Sequence, residues 1–212
     1  MKVVICTVPY MPPKAISKEI YPVDGNKALE YNKPVRSPIN AILAKTLKRD
    51  EKVKVIYIMT TEKNGFCEAN KEKFKKELEG INSEIGAVLN FDDKIEMDSK
   101  PGKRAYNKLI TDLTEKIPEN AELYVDITYG LKPEVLSLFC ALRFVEEFHN
   151  AVVEYFIWSQ LETKITPSGE KIRFNPMIFD ITSLYYLFKL IGSIDNADPE
   201  KASNILRDFF DL

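Results

Sequence analysis

The apolar positions of this 212-residue chain follow two alternating patterns. Short, mainly apolar runs at 2–8, 53–59 and 123–127 are typical of strands buried on both faces of a parallel sheet. Between these runs, apolar residues recur every three or four positions, as they do along an amphipathic helix. We therefore expect helices at 37–50, 68–89, 104–117 and 133–148, the first of them opening with Ser37 as N-cap and Pro38.

A weaker strand is predicted at 94–98. In the C-terminal third the pattern changes, because the runs at 151–161 and 171–181, joined across "TPSGE", are typical of a β-hairpin. Helical patterns follow at 183–192 and 198–210. Strand–helix alternation predicts an α/β fold: a Rossmann-like, mainly parallel sheet with helices on both faces, a C-terminal β-hairpin and C-terminal helices. We expect one domain over residues 1–181 and, over 182–212, a helical appendage that packs on this domain or on a second copy.

Composition excludes several classes of protein. A net charge of −2 with 29% charged residues lacks the basic excess of a nucleic-acid-coating protein, so DNA is not an expected partner. Three separated cysteines and one histidine, His149, predict neither a disulfide framework nor a metal site. No apolar stretch of roughly 18 residues occurs, and the first residues lack the pattern of a signal peptide. These features predict a cytoplasmic protein with no membrane partner.

Polar side chains cluster where the predicted strands end. In an open α/β sheet, ligands bind beyond the carboxyl ends of the strands, near the switch in strand order. The polar and backbone positions after the three buried strands, with the first helix cap, are Thr7, Val8, Pro9, Tyr10, Ser37, Thr60, Thr61, Glu62, Lys63, Asp126, Thr128, Tyr129, Gly130, Leu131, Lys132 and Pro133. Helix N-termini nearby favour anions. We predict a hydroxyl-rich crevice for an anionic, nucleotide-like ligand.

The familiar nucleotide motifs are missing. No G-x-G-x-x-G follows the first strand, no G-x-x-x-x-G-K-[ST] is present, and no G-x-S-x-G elbow occurs. We therefore expect no dinucleotide or other cofactor.

The loop after the third buried strand also has purely structural interpretations. Asp126 could cap a turn, Gly130 could ease the backbone, and Lys132-Pro133 could simply start a helix. Two other functions remain open on these residues alone. One is a Rossmann-like enzyme or binding protein for a small phosphorylated metabolite or mononucleotide, and the other is a protein-interaction module.

The segment "DITYGLKP", residues 126–133, resembles the DxTHG signature of CRISPR-associated Rossmann fold (CARF) proteins, ancillary proteins of type III CRISPR systems. "TVPY" after the first strand, "YPVDG", "SPINAILAKTL" and "VIYIMTTE" are similar to the same family in order and position. The resemblance extends over about residues 1–160. Tyr129 stands where the signature has histidine.

The resemblance implies a homodimer that binds a cyclic oligoadenylate, cyclic tetra-adenylate first among the ring sizes, in antiviral signalling. It also allows for an effector domain or chain that is not part of this sequence. Two modes stay open: binding alone, or metal-independent cleavage of the ring to 2′,3′-cyclic phosphate ends, as in ring nucleases. Lys132, Tyr129 and Thr7 are the catalytic candidates for the second mode.

The resemblance also suggests a role for each class of side chain in the crevice. Lys132, Lys63 and the helix starting at Pro133 would neutralise phosphates. Hydrogen bonds to the ligand would come from Thr7, Thr128 and Ser37. Tyr10 and Tyr129 would stack on adenine or contact ribose, and such stacking is worth ~1–3 kcal/mol per base.

Overall fold

Seven strands form a single sheet in the computed structural model, which describes residues 1–61, 63–98, 102–165, 171–193 and 198–210. The strands are β1 (Lys2–Thr7), β2 (Val23–Asp24), β3 (Lys52–Thr61), β4 (Val88–Asp98), β5 (Glu122–Asp126), β6 (Val152–Ile165) and β7 (Lys171–Asp180). Their order across the sheet is β2-β7-β6-β5-β1-β3-β4. Neighbours from β6 to β4 are parallel, whereas β7 is antiparallel to β6 and parallel to β2.

Helices cover both faces of this sheet. They are α1 (Pro38–Thr46), α2 (Phe66–Asn82), α3 (Lys103–Lys116), α4 (Lys132–Phe148), α5 (Thr182–Ser193) and α6 (Pro199–Phe210). The fold class predicted from the sequence, a mainly parallel Rossmann-like sheet with a C-terminal hairpin and helices, is confirmed. The "TPSGE" turn of the hairpin lies outside the described residues.

Alternate side chains of the central strands point into two separate apolar layers, one on each face of the sheet. Val4 of β1 points into a layer completed by α1 and α2, whereas Val3 and Ile5 point into one completed by α3, α4 and α5. Because successive side chains of a strand point to opposite faces, a strand covered on both sides needs apolar residues at every position. All six residues of β1 are buried, which explains the apolar residues 3–6 between Lys2 and Thr7.

The helix predicted at 68–89 is wrong over its last seven residues, because α2 ends at Asn82 and β4 begins at Val88. The Asn82 side chain donates to the Ala87 carbonyl at 2.8 Å and accepts the Ala87 amide at 2.9 Å. Between them Gly86 adopts a φ of 88°, a value that favours glycine. The turn therefore ends the helix, and the strand predicted at 94–98 is correspondingly longer.

The C-terminal helix α5 packs on the sheet. Tyr185 is 1% exposed within the α3–α4 layer, and the Tyr186 hydroxyl donates to the Val153 carbonyl at 3.0 Å. The Thr182 hydroxyl accepts the Phe156 amide at 2.8 Å. The division into residues 1–181 and 182–212 stays a prediction. Within the described part of the chain, no helix is both long and apolar enough to span a membrane.

Candidate functional site

The strand order reverses at β1, which lies between β3 and β5. The chain passes from β1 to β3 and β4 on one side, and to β5 and β6 on the other. Cys6 and Asp126 are register partners, so the carboxyl ends of β1 and β5 stand side by side. Ligands of open α/β sheets bind at this kind of switch point. The loops after β1 and β5 therefore lie where a ligand site is expected.

Asp126 ties the end of β5 to the start of α1. Its Oδ1 accepts the Thr128 backbone amide at 2.9 Å, and the Ile39 amide in the first turn of α1 also donates to this carboxylate. Burial raises the pKa of the Asp126 carboxyl above its ordinary value, while the hydrogen bonds from Thr128 and Ile39 oppose that rise. The carboxylate therefore has a structural role: it holds the β5 loop against α1.

A second buried carboxyl group, that of Glu134, lies behind the β1 end. The Thr7 hydroxyl donates to Glu134 Oε1 at 2.6 Å, and the Leu131 backbone amide also donates to this side chain. Leu131 is the N-cap of α4 and Glu134 is its third residue, so the contact is the acidic half of a capping box. Thr7, which was expected to donate to the ligand, gives its proton to Glu134 instead.

Gly130 lets the β5 loop approach β1 closely. A Cβ at this position would lie 3.1 Å from Val135 Cγ2 and 3.5 Å from Thr7 Oγ1. The carboxyl of Glu134 would be 3.6 Å away. Glycine is favoured at this position because a side chain would have too little room, and not because the backbone has a positive φ.

The N-terminus of α1 is capped from outside by Glu77 of α2. Its Oε1 accepts the Arg36 backbone amide at 2.8 Å, and its Oε2 accepts the Ser37 amide at 3.2 Å and Asn40 Nδ2 at 3.0 Å. Ser37 is the N-cap, as predicted, but its hydroxyl makes no capping hydrogen bond. The positive end of α1 is therefore already occupied by the protein's own carboxylate.

Two side chains hold the loop that follows β1. Asn70 Nδ2 donates to the carbonyls of Pro9 at 2.7 Å and Met11 at 2.9 Å. The Arg36 guanidinium donates to the carbonyl of Pro13 at 2.7 Å and also to that of Ile16. The proline-rich loop is thus held by hydrogen bonds from two side chains, those of Asn70 and Arg36.

Two adjoining cavities open between these loops. The inner cavity, of about 20 Å³, is lined by Cys6, Thr7, Val8, Pro9, Ile16, Arg36, Ser37, Asn70, Phe74, Asp126 and Tyr129. The outer cavity, of about 310 Å³, is lined by Met11, Ala15, Ile16, Ser17, Tyr21, Thr128, Tyr129, Ser159 and Leu161. Ile16 and Tyr129 line both cavities. The outer cavity falls at the lower end of the size range of ligand pockets.

The structure brings together only part of the predicted set. Seven predicted positions line the two cavities: Thr7, Val8, Pro9, Ser37, Asp126, Thr128 and Tyr129. Gly130 lies against Thr7, and the exposed Leu131, Lys132 and Pro133 begin α4 just beyond it. Tyr10 is 60% exposed and lines neither cavity.

The β3 end lies apart from this group. Thr61 lines a separate groove with Arg104 and Lys108, between the end of β4 and α3. Thr60 and the exposed Lys63 line neither of the two cavities. Glu62 lies outside the described residues. Since Thr7 pairs with Ile58, β3 extends three residues beyond β1, about 10 Å, which carries its polar end away.

Sequence reasoning missed four residues that shape the site: Arg36, Asn70, Glu77 and Glu134. Arg36, Asn70 and Glu77 do not follow a predicted strand. A search restricted to the carboxyl ends of strands therefore does not include them. Glu134 did carry a local signal, because an acidic residue at the third helical position is half of a capping box. None of the described residues form a group of three or more His, Cys, Asp or Glu side chains that could hold a metal ion.

The buried Glu134 predicts a pH-dependent effect on stability. Burial raises the pKa of its carboxyl above the ordinary 4.5, so ionising the group opposes folding. Its contribution to stability is complete at acidic pH and is lost as the pH rises through the folded-state pKa. We expect Glu134→Gln to raise the free energy of unfolding at pH 7 by on the order of 1 kcal/mol, or ~2–4 °C in Tm.

Thermal unfolding of both proteins between pH 4 and pH 8 measures this effect. The gain over the parent protein is expected to disappear at the acidic end, where the parent carboxyl is protonated. Glu147→Gln, at an exposed position of the same helix, should leave the pH profile unchanged. A Glu134→Gln profile parallel to that of the parent would contradict the prediction.

Comparison with known proteins finds a similar fold among solved structures. No protein-family model and no curated protein sequence matches the chain. A solved chain described as Enterococcus italicus Csm6 bound to cyclic hexa-2'-fluoro-hexa-dAMP is similar to it, with a TM-score of 0.43 and 16% sequence identity. The match covers 99% of this chain and 50% of the Csm6 chain. This chain therefore spans about half the length of the solved chain to which it is similar.

Proposed function

We propose that this chain is a sensor domain of the CARF type that binds a cyclic oligoadenylate. The observation that carries the proposal is the position of the "DITYG" loop. The loop leaves β5 at the switch in strand order, directly beside the end of β1, and lines both cavities with the residues that follow β1. The segment that resembles the DxTHG signature is thus part of a crevice at the carboxyl edge of the sheet.

The geometry supports different roles for different parts of this crevice, one for the base and one for the phosphate. The outer cavity is large enough for part of a nucleotide, and Tyr129 on its wall offers an aromatic face to a base. Lys132, exposed at the start of α4, offers a positive charge to phosphate at the rim. The N-termini of α1 and α4 contribute less than their dipoles suggest, because Glu77 and Glu134 already occupy them.

A homodimer is the second part of the proposal, and helix α4 supports it. Leu136, Phe144 and Phe148 are 69%, 45% and 68% exposed, and Cys140 between them is exposed as well. These positions are four residues apart, so they form one stripe along the helix. Because α4 begins at the ligand loop, contact between two such stripes would bring both loops to one shared ligand.

Cleavage of the ring is a further part of the proposal that needs no metal. The ribose 2′-oxygen attacks the adjacent phosphorus while the bond from phosphorus to the 5′-oxygen breaks. The 2′-hydroxyl proton passes to the leaving 5′-oxygen, so the products are a 2′,3′-cyclic phosphate and a 5′-hydroxyl. Lys132 would stabilise charge on the phosphate oxygens, and Tyr129 and Thr7 would hold the ribose in line.

Titration of the purified protein with cyclic tri-, tetra- and hexa-adenylate, without added metal, tests the proposal. We expect one ring bound per two chains by calorimetry, and analysis of the products separates a sensor from a ring nuclease. One small ligand per chain would favour an enzyme or binding protein for a phosphorylated metabolite or mononucleotide. The absence of binding to any ring would overturn the proposal.

A further inference from the structure

Tyr21 brings to the outer cavity a hydroxyl group that the protein itself does not use. The residue is 3% exposed, and its ring packs in the apolar layer below α1 while it lines the cavity beside Tyr129. Its oxygen is hydrogen-bonded to none of the described residues, and its strongest electrostatic neighbour is Tyr129 itself. Tyr57 Oη also lacks a partner but is fully enclosed, whereas Tyr21 Oη keeps accessible surface. The hydroxyl end of Tyr21 therefore faces the cavity and is open to a ligand.

The backbone on both sides of Tyr21 is fixed by the fold. Glu19 and Val35 exchange two backbone hydrogen bonds of 2.9 Å, and the Pro22 carbonyl accepts the Ile178 amide of β7 at 2.9 Å. Pro22 also restricts the backbone of the residue before it. The hydroxyl is thus held in place before a ligand arrives, which lowers the entropic cost of binding.

The described residues that line the outer cavity carry no charge. Four are apolar and five offer hydroxyl groups: Met11, Ala15, Ile16 and Leu161, and Ser17, Tyr21, Thr128, Tyr129 and Ser159. Burial raises the pKa of the Tyr21 hydroxyl, and the groups that add to this rise are Tyr129, Glu19, Asp126 and Glu77. All these effects disfavour negative charge beside the hydroxyl. A phosphate would therefore be poorly placed here, whereas an uncharged base with hydrogen-bonding groups on its edge suits the cavity.

We propose that the outer cavity is the subsite for a nucleobase, and that the Tyr21 hydroxyl makes the hydrogen bond by which the protein recognises that base. The inference rests on the proposed function, because it assigns part of the same site. The volume of about 310 Å³ is sufficient for one adenine. The phosphates then stay at the rim of the crevice, where Lys132 is exposed. Tyr21 determines specificity, whereas Lys132 contributes affinity for any anionic ring.

Tyr21→Phe removes the hydroxyl and keeps the ring. We expect calorimetry to show a loss of about 10- to 100-fold in affinity for cyclic tetra-adenylate, because a polar group of the base is left without its partner. The Tm should stay unchanged or rise, since the lost hydroxyl has no partner among the described residues of the folded protein. A general loss of structure would lower both quantities. Unchanged affinity in this variant would overturn the inference.

Tyr57→Phe is the matched control. Tyr57 is 1% exposed in the same apolar layer, and its hydroxyl also lacks a partner, but it lines neither cavity. This variant should bind cyclic tetra-adenylate as the parent protein does. Equal losses in the two variants would mean that the effect comes from the apolar layer and would overturn the assignment of Tyr21.

Salt dependence distinguishes a base contact from a phosphate contact. Because the base carries no charge, the fold-loss in Tyr21→Phe should be the same at low and at high salt. Lys132→Ala, which removes a phosphate contact, should instead reduce the salt dependence. A Tyr21→Phe loss that shrinks as salt is added would place the hydroxyl on a phosphate and overturn the inference.

Rings with altered bases identify the atom that Tyr21 contacts. The probes are cyclic tetra-adenylate analogues that lack N1, N3, N7 or the 6-amino group of each adenine. With one of them we expect Tyr21→Phe to cause no further loss, since the contact is already absent. Full additional losses with every analogue would place the contact on the sugar and overturn the base assignment alone. Failure of the parent protein to bind any ring would overturn the proposed function as well.

Discussion

Glu77→Ala is expected to lower the free energy of unfolding by about 3–5 kcal/mol. The Glu77 carboxylate accepts the backbone amides of Arg36 and Ser37 and the side-chain amide of Asn40, and its side chain is only 8% exposed. Hydrogen bonds to a charged group are worth about 1.5–3 kcal/mol each, and their sum is reduced because they share one carboxylate. The variant leaves the start of α1 without its cap.

Urea and thermal unfolding measure this loss, which corresponds to a fall in Tm of roughly 10 °C. Glu79→Ala is the control, since Glu79 lies two residues away on α2 with its side chain 49% exposed and 3.9 Å from Lys75. Such an exposed ion pair contributes at most about 1 kcal/mol, so this variant should unfold nearly as the parent does. Equal losses in the two variants would contradict the role assigned to the carboxylate.

Lys132→Ala is expected to weaken cyclic tetra-adenylate binding by about 30- to 400-fold, or ~2–3.5 kcal/mol. The lysine is exposed at the first position of α4, so each contact with phosphate is only moderately strong. In the proposed dimer, however, one substitution removes two lysines from one shared site. The loss should therefore be close to twice, in free energy, the contribution of a single contact.

Binding measured at several salt concentrations checks the mechanism, because losing a phosphate contact reduces the salt dependence of affinity. Lys132→Arg should restore much of the affinity. Lys52→Ala is the control: Lys52 is exposed as well, but it begins β3 at the opposite edge of the sheet. If Lys132→Ala left every ligand affinity unchanged, a protein-interaction module would be the better interpretation of the polar loops.

The sequence predicts the strands and the position of the crevice because both depend on local patterns. A strand covered on two faces must be apolar throughout, and Asp126 and Thr128 stand where such a strand ends. The rule fails at β3, where Thr60 and Thr61 lie beyond the β1 end because the strands differ in length. The length of a strand can be predicted from sequence only as accurately as its two boundaries.

The remaining errors concern partners that are distant in the sequence. Asn70 is about 60 residues from the carbonyls it holds, and Glu77 about 40 from the amides it caps. On an exposed helix both would be ordinary polar residues. Only the packing of α2 against α1 and against the loop after β1 gives them their roles, and no periodicity in the sequence shows this packing.

The two margins of the sheet also restrict how copies of this protein can meet. β2 has only two residues, and β4 carries Asp92, Asp93, Lys94, Glu96 and Asp98 along its length. Short or highly charged edge strands discourage pairing with a strand of another molecule. Growth of the sheet from chain to chain, the route to fibrils, is therefore disfavoured at both ends, and the exposed apolar stripe of α4 is left as the surface better suited to self-association.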